Sequence, residues 1–141
     1  MLHFKNIFIV TLFSIYTSTY AQTINIHITQ NNIADTICKK NYTKTVRPSV
    51  IYTNNYKRIL LTAAGISWAN APLYELDHII PLELGGNPTD HANLQLQLWT
   101  GPTGAHAKDV MENKYHRAVC SGKISLQAAQ QYFTINGIVT K

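Results

Sequence analysis

The chain reads as an α+β domain on three observations: two short stretches of alternating polarity, a glycine-containing loop between them, and a helical pattern directly after the second stretch. In Tyr74-Glu75-Leu76-Asp77-His78-Ile79-Ile80, residues Tyr74, Leu76, His78 and Ile80 share one face, with Asp77 and Ile79 opposite. Pro81 cannot donate to a ladder, so this strand ends there. Gly85-Gly86 and Asn87-Pro88 make residues 82–92 a compact loop. Asn93 to Trp99 alternates again as a return strand, which Gly101-Pro102-Thr103-Gly104 breaks.

Residues 105–120 suit a helix, with Ala107, Met111, Tyr115, Ala118 and Val119 on one side. His106, Asp109, Asn113 and Arg117 fall on another, within an arc of roughly 80°. Gly122 ends that helix, and Ser125 is placed to cap a last one over Leu126 to Phe133. Upstream, Ile24, Ile26 and Ile28 alternate as a short strand, and residues 54–64 form a helix that stops at Gly65. Arg47-Pro48 forces an extended or turn conformation at Arg47.

The first 21 residues have the pattern of an export signal: Lys5, then the apolar run Ile7 to Ile15, then small and polar residues up to Ala21. That run is too short to span a bilayer comfortably, so the expectation is an exported protein, periplasmic or secreted, with no membrane segment after cleavage. Residues 22–141 then form one domain: a basic N-terminal part (22–73), a hairpin-and-helix core (74–120), and a C-terminal helix and tail (121–141). Two cysteines, Cys38 and Cys120, are too few for a zinc knuckle or ribbon, and no structural zinc is expected. In an oxidising compartment they are expected to pair as a disulfide.

The chain carries a formal net charge of +5. From Lys39 to Arg58 it has six cationic residues and no acidic one. Tyr42, Tyr52 and Tyr56 interleave with Lys44, Arg47, Lys57 and Arg58, a pattern that can neutralise phosphates and stack on bases. Lys108 and Arg117 on the helix would extend such a surface. The expected partner is nucleic acid, DNA with RNA left open. No base-reading motif is present, so little sequence preference is expected.

The chemistry concentrates at the hairpin. Hydrolysing a phosphodiester needs a base for water, a cation to offset developing charge, and a device that holds the base still. His78 suits the first role and Asp77, a hard oxygen donor, the second. Adjacent strand residues point apart, so the two share a site only where the strand bends, as Pro81 and the loop permit. Asn93, at the far end of the loop, can tie the loop backbone. A further metal ligand must come from outside the hairpin; the helix offers His106 first, with Asn113 as the alternate.

ELDHIIPLELGG followed by NLQ resembles the first two motifs of the HNH endonuclease family, also called ββα-metal or His-Me finger nucleases. The flanks, CKKNYTKTVRPSVIYTNNYKR and AHAKDVMENKYHRAVCSGKISLQAAQ, are similar to a small exported branch of it. The resemblance spans roughly residues 36–130. It implies a hairpin and helix around one Mg²⁺ or Mn²⁺, His78 activating water, Asp77 on the metal and Asn93 in the structural middle position. Two departures stand out: the cysteine pairs of the common pattern are absent, and WTGPTGA lengthens the gap to the helix, leaving His106 and Asn113 open as the third motif residue.

Overall fold

The computed structural model describes residues 23–136, and the expected export signal lies outside them. Among the described residues the chain is a mixed α+β fold: a two-stranded antiparallel hairpin and four helices, joined by short 3₁₀ turns. In chain order these are α1 (Tyr42–Val46), α2 (Val50–Ala63), β1 (Tyr74–His78), β2 (Leu94–Leu98), α3 (Ala105–Cys120) and α4 (Leu126–Asn136). Among the described residues no helix is long and apolar enough to cross a membrane.

The expected strand over Ile24, Ile26 and Ile28 is reduced to one bridge, Ile24 to Gly86. The reason is local. The Asn25 side chain accepts from the His27 N–H at 3.1 Å and its carbonyl accepts from Ile28 N at 2.9 Å, which folds the backbone into a turn. Ile26 is left 71 % exposed while Ile24 and Ile28 pack on the core. Helix α2 starts four residues before the sequence reading because Ser49 caps it, its hydroxyl accepting from Tyr52 N. Gly65 follows the helix with φ +68°, the left-handed turn that glycine adopts without strain.

Strand β1 pairs with β2 in the register Tyr74 to Leu98 through His78 to Leu94. The period of two therefore puts Glu75, Asp77, Gln95 and Gln97 on one face, and Leu76, Leu94 and Leu96 on the other. Helix α2 covers both strands. Helix α3 meets the polar face, where Lys108 reaches Asp77. Its entry is fixed by Gln97, which donates to the Thr103 carbonyl at 2.7 Å.

The apolar centre lies beyond the end of the hairpin. Ile37, Ile80, Leu84, Val119, Leu126, Ala129 and Phe133 form one buried cluster. It joins the N-terminal segment, the loop after β1, α3 and α4. Cys38 and Cys120 are disulfide-bonded with Cα atoms 5.6 Å apart, tying the N-terminal segment to the last turn of α3. His116, one turn earlier on α3, is hydrogen-bonded through Nε2 to the Ile37 carbonyl at 2.8 Å. Ser125 caps α4, accepting from Ala128 N.

Candidate active site

The site begins with the loop after β1. Pro81 to Leu84 turn tightly, and Gly85 takes φ +76°. Gly86 then runs so close to Ile80 that a Cβ there would stand 1.8 Å from the Ile80 carbonyl oxygen and 2.8 Å from Asn93 Nδ2. Only glycine allows that approach. Asn93 is fully buried and uses its whole amide on this turn. Its Oδ1 accepts from Ile80 N at 2.8 Å, and its Nδ2 donates to the carbonyls of Ile80 (3.1 Å) and Asn87 (2.9 Å). The loop backbone is thus clamped from within.

That clamp holds the carbonyl that meets the imidazole. His78 Nε2 lies 3.0 Å from the Pro88 carbonyl oxygen. A carbonyl only accepts, so Nε2 carries the proton and Nδ1 keeps the lone pair. Burial pushes the imidazole below its usual pKa, which keeps it neutral near pH 7. From outside, α2 supports the same loop: Tyr52 donates its hydroxyl to the Thr89 carbonyl at 2.6 Å, and Tyr56 stacks on His91 with centroids 3.9 Å apart.

His78 and Asp77 face one cavity despite being neighbours in a strand. The bend is at the strand end, where Asp77 Oδ1 accepts from the His78 N–H at 2.8 Å. The cavity, about 100 Å³, is lined by Thr43, Arg47, Glu75, Asp77, His78, Pro81, Leu82, Glu83, Asp109 and Glu112. It has room for several waters.

Five carboxylates and one guanidinium line the cavity, and one ammonium, that of Lys108, pairs with two of those carboxylates. Lys108 Nζ is 2.8 Å from Asp77 Oδ2 and also bonds Glu112, with its side chain only 8 % exposed. Burial alone would lower the lysine pKa; the Asp77 and Glu112 charges outweigh it and hold it above its usual value. One ammonium between two carboxylates leaves an excess of negative charge. Burial, with Asp77 nearby, pushes Glu112 up to about 7 even against the lysine. Burial, Asp77 and Asp109 likewise push Glu75 up to about 7. Glu83 is raised by burial, and its Oε1 is buried with no hydrogen-bond partner.

The cavity's carboxylate oxygens are the donor type that a hard divalent cation takes, and they carry more negative charge than their neighbours neutralise. Among the described residues, the three donors whose atoms lie within 4.8 Å of one another are instead Cys38, His116 and Cys120, and the two sulfurs there are bonded to each other.

No family model, no curated protein and no solved structure matches this chain.

Of the residues the sequence singled out, Asp77, His78 and Arg47 meet at the cavity and Asn93 sits behind it. His106 and Asn113 do not reach it. His106 is exposed with its ring against Trp99, and Asn113 is exposed with its amide on the Asp109 carbonyl. The reason is the rotation of α3. Lys108 and Glu112 sit roughly 110–150° round the helix from the His106–Asn113 stripe, and it is they, with Asp109 at the edge of that stripe, that turn toward the hairpin. Lys108, expected on a phosphate-facing surface, is buried instead.

The other expected phosphate contacts are dispersed. Lys57 donates to the Tyr74 carbonyl at 2.5 Å, Arg58 lies over the Trp68 ring, and Lys44 and Arg117 are exposed away from the cavity lining. Tyr42 packs against the core, while Tyr52 and Tyr56 serve the loop. The sequence reading put Asp109 on the polar stripe of the helix without assigning it to the site, and it did not assign Glu75, Glu83 or Glu112 to it. Glu75 had a signal: two places before Asp77 in a strand is the same face.

Proposed function

We propose that the chain is a ββα-metal nuclease of the HNH type, hydrolysing phosphodiester bonds of DNA, and of RNA where it fits, with little sequence preference. One observation carries the reading. An imidazole with Nε2 fixed on the Pro88 carbonyl, and so with its Nδ1 lone pair in place, lines an acid-rich cavity beside Asp77 and facing a helix. The order strand, glycine loop, strand, helix and the motif resemblance support it.

In this mechanism His78 Nδ1 takes a proton from a water molecule as the water oxygen attacks phosphorus in line. The bond from phosphorus to the 3′-oxygen breaks, leaving 5′-phosphate and 3′-hydroxyl ends. Asn93 acts as a positioning residue, since its amide holds the loop that carries the Pro88 carbonyl. Arg47, on the cavity lining, is placed to pair with the scissile phosphate. Asp77 and Glu112 would hold a Mg²⁺ or Mn²⁺ ion, in place of the His106 and Asn113 expected from sequence. Such an ion, when bound, supplies the positive charge that offsets the developing phosphoryl and leaving-group charge.

The test is supercoiled plasmid incubated with Mg²⁺ or Mn²⁺, or with EDTA, using wild type and His78→Ala. Cleavage should need the metal and fall at least a hundredfold in the variant, with circular dichroism unchanged. More than a tenth of the wild-type rate in His78→Ala would remove His78 from the mechanism. Plasmid retention without nicking would instead make the chain a nucleic-acid-binding protein.

A further inference from the structure

Lys108 occupies an unusual position for a helix lysine. Its ammonium stands between Asp77 on β1 and Glu112 one turn along its own helix, 2.8 Å from the former, and only 8 % of the side chain is exposed. These are the two carboxylates assigned above to the divalent ion, so the inference rests on that reading.

A Mg²⁺ ion sits about 2.1 Å from a carboxylate oxygen. An ion bound to Asp77 at that distance would stand within about 5 Å of the present ammonium, with the same carboxylates as counter-charge. Two cations cannot share this pair of acids at such separation without strong repulsion. The lysine, on a flexible four-carbon stem, is the one free to move. We propose that Lys108 is the built-in counter-cation of the Asp77–Glu112 pair, and that a divalent ion binds there by displacing it. In the metal-free protein the ammonium keeps two half-buried carboxylates together and aimed at one point. Metal affinity is then set by a competition that the protein itself imposes.

The experiment has two arms, both on the disulfide-bonded protein and both independent of cleavage. In the first, Mn²⁺ binding is titrated by loss of the free-ion electron paramagnetic resonance signal in wild type, Lys108→Met and Lys108→Gln. Removing the competitor should tighten binding at least tenfold. In the second, wild type is treated with an amine-acylating ester and the modified lysines are mapped by mass spectrometry across a Mg²⁺ titration. Lys108 should be protected without metal and acylate at least ten times faster at saturation. Lys57, engaged on the Tyr74 carbonyl, is the internal reference and should not change.

Equal or weaker Mn²⁺ binding by both variants, or a Lys108 that stays protected once the ion is bound, overturns the displacement while leaving the metal site standing. Absence of Mn²⁺ binding in wild type and variants alike overturns both readings. Should neither variant fold, the acylation arm on wild type decides alone.

Discussion

Asn93→Ala tests the inner clamp of the loop. Asn93 is completely buried, and its amide makes three hydrogen bonds: with Ile80 N, the Ile80 carbonyl and the Asn87 carbonyl. Truncation leaves a buried N–H and at least one carbonyl without partners. Each such orphan costs about 1–3 kcal/mol, so the loss should be about 3–5 kcal/mol. Against the roughly 5–15 kcal/mol of an ordinary domain, that is a large fraction, and the urea midpoint should fall visibly at unchanged slope. Asn93→Asp sharpens the test. One oxygen still accepts from Ile80 N, but the other faces two carbonyls where a donor is needed. Its destabilisation should shrink as pH falls and the acid becomes able to donate. A loss below about 1 kcal/mol for Asn93→Ala, or an Asn93→Asp penalty independent of pH, would refute the assignment of this amide as the loop's clamp.

Two further outcomes follow from the geometry. Reducing the Cys38–Cys120 bridge, which spans 82 residues, should lower stability by about 4.5 kcal/mol on the loop-entropy model, read as a drop in melting temperature on adding a reductant. Glu112 is raised to about 7 from a usual value near 4.5, so the folded state holds this proton more tightly than the unfolded state. Its contribution is therefore fully present below about 4.5 and is lost as pH rises toward 7; relative to Glu112→Gln, wild type should become less stable across that window, and a flat difference in urea titrations would exclude the shift.

Much of the scaffold was readable because it rests on periodicity. The alternation of 74–78 and 94–98 survives as β1 and β2, and α3 occupies Ala105–Cys120, as its pattern and flanking glycines indicate. The disulfide followed from two cysteines in a chain with an export-like start. What failed was local competition and rotation. Asn25 captures backbone groups that a strand over 24–28 would have needed. The phase of α3 could not be read from polarity alone, because the His106–Asn113 stripe and the Lys108–Glu112 pair are both polar and only the second meets Asp77. A lysine and a glutamate four residues apart look like a surface pair; only the arrival of Asp77 from another element makes them buried. The same holds for Tyr52 and Tyr56, whose partners lie more than thirty residues ahead in the loop.

Those two tyrosines give α2 an influence that its position conceals. The imidazole leans on the Pro88 carbonyl, and the stretch carrying that carbonyl is buttressed by a helix encoded well upstream of the motif. Mutational scans that score only cavity neighbours would pass over this buttress. On the proposed mechanism, a small shift of α2, at rings outside the cavity lining, would change the aim of the His78 imidazole.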